Sequence, residues 1–521
     1  MQEAQEIVRH GVVAAGHRET ARAAIRMLES GGNAFDAAAA GFFAACVAEP
    51  IFCSPAGGGF LLARTPKGDV VYDFFNQTPL RKRRECAFYP VLADFGDSVQ
   101  EFHLGAGSWA TPGAVPGVIR FQHDLGRLPL QAVVEPAVKL AREGVVVTPF
   151  CQHLMEVVSA IYLRSEAGRK LFGNPHRPHQ PLRAGQRFLP EKMADFFLGV
   201  AGDPRLVTEG EIAREMARSC RERGGHLTRE DFASYRVRLR KPLKLRYRSG
   251  AIWTNPAPSI GGILIGLALE LLKDYPLADY RFGSPLHLEI LVRVQNILNR
   301  KKRGLHDAST TSGEMEPENS VRSNLQAALR DTLQKHPLRA RGTTHVSVLD
   351  TRGNAAAMSV SNGSGSGFVL GDYGFTMNNM LGEEDLNPNG FHLWSPNRRI
   401  ASMMAPTFVE DGGSLYVTGS GGSNRIRTAV LQVISNLIDF DMGLATAVEA
   451  PRVHFEHGTV NVEPGFPAPS MAHLESRFER LLPWRQNGLF FGGTHSVQQE
   501  QNKAVLRYQG DARRAGAGIR S

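Results

Sequence analysis

A polar, weakly hydrophobic segment ends at Gly342, and a strand-like run with β-branched residues begins at Thr343: Thr343-Thr344-His345-Val346-Ser347-Val348-Leu349-Asp350. Turn formers follow, Asp350-Thr351-Arg352-Gly353-Asn354, and then a second apolar run from Ala355 to Val360. This spacing predicts a β-hairpin with a five-residue loop. With Leu349 opposite Ala355, the register centred on Arg352 places Ser361 opposite Thr343.

Elsewhere the pattern is mostly helical. Ala21 to Leu28 reads as a helix ending at Gly31-Gly32, and Asn33 or Asp36 starts an alanine-rich helix through Ala45. Small residues at Ala37 to Ala40 would let another element pack closely against it. Val70 to Phe75 reads as a strand, and Asn76 to Arg84 as the loop leaving it. Helices are expected around Glu135 to Gly144, Glu209 to Arg223, Leu264 to Leu272 and Arg427 to Phe440. Thr228 is an expected N-cap, with Asp231 three residues on. From Arg300 to Gly342 the chain turns polar, and only Val321 to Leu333 looks helical.

Cutting the bond between Gly342 and Thr343 would give Thr343 both a hydroxyl and a free α-amine. An α-amine has a pKa near ~7.7–8.0, so much of it is neutral and able to accept the hydroxyl proton. A second hydroxyl at Ser361 would orient that nucleophile or relay its proton. The plain alternative is an ordinary hairpin with surface hydroxyls.

Composition bounds the classes. The 521 residues suffice for a large core or for two or three domains, and 42% apolar with 21% charged residues is ordinary for a soluble globular protein. No apolar run approaches the ~20 residues that cross a bilayer, so no membrane partner is expected. Met1-Gln2-Glu3-Ala4-Gln5-Glu6 lacks a basic and then apolar signal region. The location expected from the sequence as it stands is cytoplasmic, or periplasmic or secreted if a leader was removed. Five scattered cysteines without CxxC spacing favour reduced, mostly buried thiols over disulfides or zinc. The net charge of +9 gathers at Arg81-Lys82-Arg83-Arg84, Asn299-Arg300-Lys301-Lys302-Arg303 and the tail Arg513-Arg514 to Arg520. Such runs are expected to be solvated faces, and without aromatic interleaving they imply no nucleic-acid partner.

Gly342 to Asp350 resembles the processing-site signature of the γ-glutamyltranspeptidases, a family of N-terminal-nucleophile hydrolases. Motifs from both ends agree: Gly31-Gly32-Asn33-Ala34-Phe35-Asp36, Glu49-Pro50 with Gly57-Gly58-Gly59-Phe60, Thr376-Met377-Asn378-Asn379, and Glu449-Ala450-Pro451-Arg452. The resemblance implies an α+β fold, a four-layer αββα sandwich, made as a precursor that cuts itself before Thr343. It implies a large-subunit segment 1–342 and a small-subunit segment 343–521, intertwined in one globular unit. Thr343 would be the nucleophile, Ser361 its helper hydroxyl, and Gly421 and Gly422 the oxyanion hole. Arg84 with Ser402 would hold the substrate's α-carboxylate, with Arg81 and Arg83 as rivals for Arg84, and Glu383 would meet the α-amine. The substrate implied is a small γ-glutamyl amide of the glutathione kind, with water or an amino acid as acceptor. No metal or organic cofactor is expected.

Several positions depart from the family pattern. Ser361 replaces a threonine, Met380 a glutamine, Glu383 an aspartate and Met403 the second of two serines. Gly363 stands where an asparagine is expected, with Asn362 beside it as a substitute. The expected helical landmark around Phe-Ala-Asp-Arg, shortly before the cleaved bond, is missing. Between Glu383 and Ser402 only Leu386 to Arg399 is available for a lid over the pocket. An open, wetter site of this kind would favour hydrolysis over transpeptidation. The alternatives are a glutaryl (cephalosporin-type) acylase on the same fold, and an unprocessed, non-enzymatic relative acting as a binding module.

Overall fold

The hairpin forms in the expected register, Leu349 pairing with Ala355 and Thr343 with Ser361. The computed structural model describes residues 8–94, 99–307, 322–327, 342–383, 391–500 and 505–521. Asp350 closes the hairpin turn, its Oδ1 accepting the amides of Arg352 and Asn354 at 2.9 Å each. Its Oδ2 accepts the amide of Ala34 at 3.1 Å. This ties the turn to the N-terminus of the helix Ala34–Ala48, where unpaired amides and the helix dipole favour a carboxylate.

Around the hairpin lies a seven-stranded antiparallel sheet in the order Arg238–Arg240, Gly68–Phe74, Gly58–Thr65, Ala355–Ser361, Thr343–Asp350, Gly11–Ala15, Ala517–Arg520. A second antiparallel sheet has six strands, Leu243–Tyr247, Gly250–Thr254, Thr407–Asp411, Ser414–Thr418, Ser496–Gln499 and Leu506–Gln509. Successive side chains of a strand face opposite ways, so each hairpin strand serves two cores. Val346, Val348, Ala356, Met358 and Val360 pack with the helices Arg18–Glu29, Ala34–Ala48, Leu130–Glu143 and Glu191–Gly202. Leu349, Ala355 and Ala357 pack toward Ile252, Phe408, Val417 and Val497 of the second sheet, which the helices Gly261–Leu272 and Arg425–Ile438 cover. The result is the four-layer αββα sandwich.

Asn33 caps the alanine-rich helix: its Oδ1 accepts the amides of Phe35 and Asp36, and Asp36 returns a bond to the Asn33 amide. Every residue of that helix is buried, and a Cβ on Gly41 would sit 3.5 Å from Val346, so the small side chains allow the close approach their composition suggested. Thr228 and Asp231 form a capping box at the start of the helix Arg229–Ser234. All five cysteines are free, with Cys46, Cys53 and Cys220 buried. No described helix is long and apolar enough to cross a membrane.

Two expectations are corrected. The stretch from Arg300 is not helical only over Val321 to Leu333: the helix Pro285–Asp307 runs through its first part. Leu288, Leu291, Val292, Val294 and Leu298 give that helix a buried face, and it continues past the face into polar sequence. Of Val321 to Leu333, residues 322–327 are helical and the remainder lies outside the described residues. The basic tail is not a solvated face either, since Arg513 and Arg514 are each only 5% exposed. Arg513 pairs with Glu463 at 2.6 Å and Asp511 at 3.2 Å, and Arg452 pairs with Asp511 at 2.7 Å. A guanidinium is tolerated inside when carboxylates meet its fork, which a charge count cannot reveal. Arg81, Arg83 and Arg84 do stand exposed.

Candidate active site

Thr343 heads a central strand and is fully buried. Its carbonyl accepts a hydrogen bond from Arg514 Nη1 at 3.1 Å. Gly421 lies so close that a Cβ there would be 2.1 Å from that carbonyl oxygen, which excludes any side chain at position 421. Thr343 Oγ1 has no hydrogen-bond partner among the described residues. A buried hydroxyl left this way costs about 1–3 kcal/mol, and such groups concentrate where something else is meant to bind or react.

Across the strand pair, Ser361 Oγ donates to the carbonyl of Gly342 and accepts the Gly363 amide at 3.1 Å. The Gly342 amide in turn donates to the Gly363 carbonyl at 3.1 Å. The second hydroxyl therefore touches the carbonyl of the very bond that precedes Thr343. Gly363 has φ +66, and a Cβ there would lie 2.3 Å from Asn379 Oδ1. Asn379 fills the space that an asparagine at 363 would need.

The turn continues to Ser364, whose amide donates to both Asn379 Oδ1 and Glu383 Oε1 at 2.8 Å. Asn362 Nδ2 donates to Thr376 Oγ1 at 3.2 Å. Asn362 Oδ1 and Asn379 Nδ2 are buried without a partner among the described residues. Asn378, by contrast, is spent on scaffolding: it accepts the Ala110 amide and donates to the carbonyls of Ala56 and Ala110. The structure thus groups Thr343, Ser361, Asn362 and Glu383 along one turn, with Gly421 against the Thr343 carbonyl and Gly422 next in the chain.

Sequence reasoning overlooked two charged groups here. Glu49 accepts the hydroxyls of Thr20 at 2.7 Å and Thr344 at 2.5 Å. Burial holds its carboxyl above the ordinary carboxylate range, while those hydroxyls and Arg514 pull the other way. Burial, aided by Arg425, pushes the Arg514 guanidinium down to about 9, against Asp511 and Glu49, so it stays charged at neutral pH. Glu49-Pro50 was visible only as a landmark, and nothing around Arg514 in the sequence marks it as internal.

His345, on the same strand face as Thr343, is neutral. Ser347 Oγ gives its proton to the His495 carbonyl, so it accepts from His345 Nε2 at 2.9 Å, and Ser359 Oγ meets Nδ1 at 2.8 Å. Burial, with His495 nearby, holds His345 well below the ordinary imidazole range. With both nitrogens engaged and no tendency to take a proton, it is unsuited to serve as a general base.

Ser402 and Arg84 make no hydrogen bond to that turn among the described residues. Ser402 is buried, its Oγ accepting the Met404 amide at 3.0 Å. Arg81 pairs with Glu230, and Arg83 donates to the Gly225 carbonyl, whereas Arg84 is exposed with no hydrogen bond or ion pair to a described residue. Among the described residues no hydrogen bond joins Arg84 or Ser402 to Thr343. Of the lid span Leu386 to Arg399, residues 391–399 are described. They are strapped to the loop after the Gly68–Phe74 strand by Thr78 amide to Arg398 carbonyl, 2.8 Å, and Asn397 amide to Pro79 carbonyl, 3.0 Å. Trp394 is buried edge-on to His226.

Beside this strap, Cys86, His226 and His392 bring potential ligand atoms within 4.8 Å of one another. His226 Nδ1 accepts the Arg83 amide at 3.2 Å, which leaves the ring proton on Nε2. Burial, then His392, Lys82 and Arg83, push His226 down to about 4. A donor set flanked by those cations is poorly suited to a metal ion.

Two facing antiparallel sheets between helical layers, with a buried threonine heading a central strand, are the architecture of the N-terminal-nucleophile hydrolases. The chain belongs to the gamma-glutamyltranspeptidase family, whose model matches residues 20–521. It is 30% identical over 514 residues to a glutathione hydrolase proenzyme of Escherichia coli (strain K12), covering 91% of this chain and 86% of that protein. It is also 30% identical over 491 residues to the acylase ACY 1 proenzyme of Pseudomonas sp. (strain V22), covering 91% and 87%. The fold is shared with a cephalosporin acylase from Bacillus halodurans at TM-score 0.82 and 22% identity, over 100% of this chain and 97% of that one.

Proposed function

We propose that the protein is a γ-glutamyl hydrolase with transpeptidase capacity, acting on glutathione-like γ-glutamyl amides after cutting itself before Thr343. One observation carries the reading: the unpartnered Thr343 hydroxyl shares a strand register with Ser361, whose own hydroxyl meets the Gly342 carbonyl, while Gly421 packs against Thr343 from the other side. In self-scission, Thr343 Oγ attacks the Gly342 carbonyl carbon, the C–N bond breaks to leave an ester, and water hydrolyses that ester. Ser361 steadies the oxygen on which negative charge builds. Segments 1–342 and 343–521 then become two subunits of one globule.

In turnover, the freed α-amine takes the proton of Thr343 Oγ as that oxygen attacks the γ-carbonyl. The amides of Gly421 and Gly422 hold the oxyanion, and the departing amine leaves with the proton. Water, or an amino-acid amine, releases the acyl group. Arg84, exposed and unpaired, anchors the α-carboxylate together with Ser402, and Glu383 meets the α-amine beside Asn379. The short span from Glu383 to Ser402 supplies little chain for a lid, which supports hydrolysis over transpeptidation.

A second reading, a glutaryl-type acylase, draws on the similarity to the acylase ACY 1 proenzyme and on Met380 and Met403, which make the acyl pocket less polar. A denaturing gel with paired γ-glutamyl and glutaryl anilides separates the readings. Two bands, a γ-glutamyl preference and loss of both scission and turnover in Thr343→Ala are expected. A clear glutaryl preference would transfer the assignment to the acylase. Full activity in an uncut wild-type chain would overturn both, and a single inert band would leave a binding module.

A further inference from the structure

A cavity of about 370 Å³, with none of Thr343, Ser361, Asn362 and Glu383 in its lining, is walled by Tyr89, Trp109, Phe368, Arg164, Arg223 and Ser366. That volume lies in the range of small-molecule sites, roughly 300–1,000 Å³. The guanidinium of Arg164 lies 4.8 Å from the centre of the Tyr89 ring, and that of Arg223 lies 4.3 Å from the centre of Phe368. Neither has a carboxylate partner among the described residues. Trp109 is fully buried, and its Nε1–H has no hydrogen-bond partner among the described residues. The wall therefore combines flat apolar surfaces with two positive charges that no described carboxylate pairs.

We propose that this cavity is a second ligand site, taking a small carboxylate carried on an aromatic or similarly flat apolar body. A guanidinium fork matches a carboxylate with two parallel hydrogen bonds, and stacking on a ring holds the fork ready, lowering the ordering cost of binding. The rings of Tyr89 and Phe368, the latter backed by the buried Trp109 ring at 5.1 Å, receive the apolar body. Ser366 to Phe368 continue the turn whose Ser364 amide is held by Asn379 and Glu383, so an occupant braces the far end of the loop that starts at Ser361. The site does not depend on which acyl group Thr343 accepts.

The test is calorimetric titration of the full chain with 2-naphthoate and with its neutral counterpart 2-naphthylmethanol. The acid binds more tightly than the alcohol. Arg164→Ala and Arg223→Ala each weaken the acid about two- to fivefold, the scale of a solvent-screened ion pair, and leave the alcohol unchanged. Arg→Lys variants, which keep the charge but lose the fork, fall in between. Circular dichroism and turnover of a γ-glutamyl anilide, unchanged in these variants, separate this site from the fold and from Thr343. Equal binding of acid and alcohol, or undiminished acid binding in the double variant Arg164→Ala/Arg223→Ala, would overturn the proposal.

Discussion

Arg514 Nη1 donates to the main-chain carbonyl of Thr343 at 3.1 Å, although 171 residues separate them in sequence. The same guanidinium lies 4.9 Å from the centre of the Phe52 ring and offsets the charge of the buried Glu49. The C-terminal tail thus holds the first residue of the central strand in place.

Arg514→Met keeps the length of the side chain but removes its donors and its charge. Hydrogen bonds from charged groups contribute about 1.5–3 kcal/mol, so self-scission followed by gel, and kcat on a γ-glutamyl anilide, should both fall about tenfold or more. Arg514→Lys should recover part of the loss. Wild-type rates in Arg514→Met would show that the contact is incidental.

Ser361→Ala should slow scission while leaving the hairpin register intact, because the lost group contacts the Gly342 carbonyl rather than the core. A reduction of about tenfold is expected in a time course of band conversion. Ser361→Thr keeps the hydroxyl and should process normally. Equal rates in the alanine and threonine variants would remove Ser361 from the chemistry.

Glu383→Gln keeps an oxygen for the Ser364 amide and removes only the negative charge. For a γ-glutamyl anilide KM should rise about tenfold or more, while a glutaryl anilide, lacking the amine, should be nearly unaffected. Parallel increases for both substrates would indicate a general disturbance of the turn instead of an amine contact.

Acid should weaken the tail's hold. Burial alone would raise the Asp511 carboxyl, but Arg452, Arg513 and the amides of Thr494 and Arg513 outweigh it and bring it from 3.8 down to about 2. Its folded pKa is depressed, so its stabilisation is present above pH ~4 and disappears as pH falls toward 2. The amount is about 2 kcal/mol, measurable as a slope in urea midpoints across that window. Asp511→Asn should flatten the slope and lower stability at neutral pH, because Arg452 and Arg513 lose a buried partner.

Much of this site was legible because it is local. The register from Leu349–Ala355 to Thr343–Ser361 follows from turn length and period-two pairing, and the caps at Asn33 and Thr228 from side chains three residues apart. Arg514 and Glu49 were not legible, since they act through contacts 171 and 295 residues away along the chain. The tail misled for the same reason: Arg513 looks like surface charge until Glu463 and Asp511 converge on it. Gly363 read as a missing asparagine with Asn362 as its substitute, whereas Asn379 occupies the space from a separate loop.

The order of strands has a topological consequence. The strand headed by Thr343 lies between Ala355–Ser361 and Gly11–Ala15, and in the second sheet Gly250–Thr254 pairs with Thr407–Asp411. A break before Thr343 would therefore double the number of chains without doubling the number of things that can melt. Neither piece could diffuse away without stripping hydrogen-bonded edges from both sheets, so the two should travel together through any purification short of denaturant.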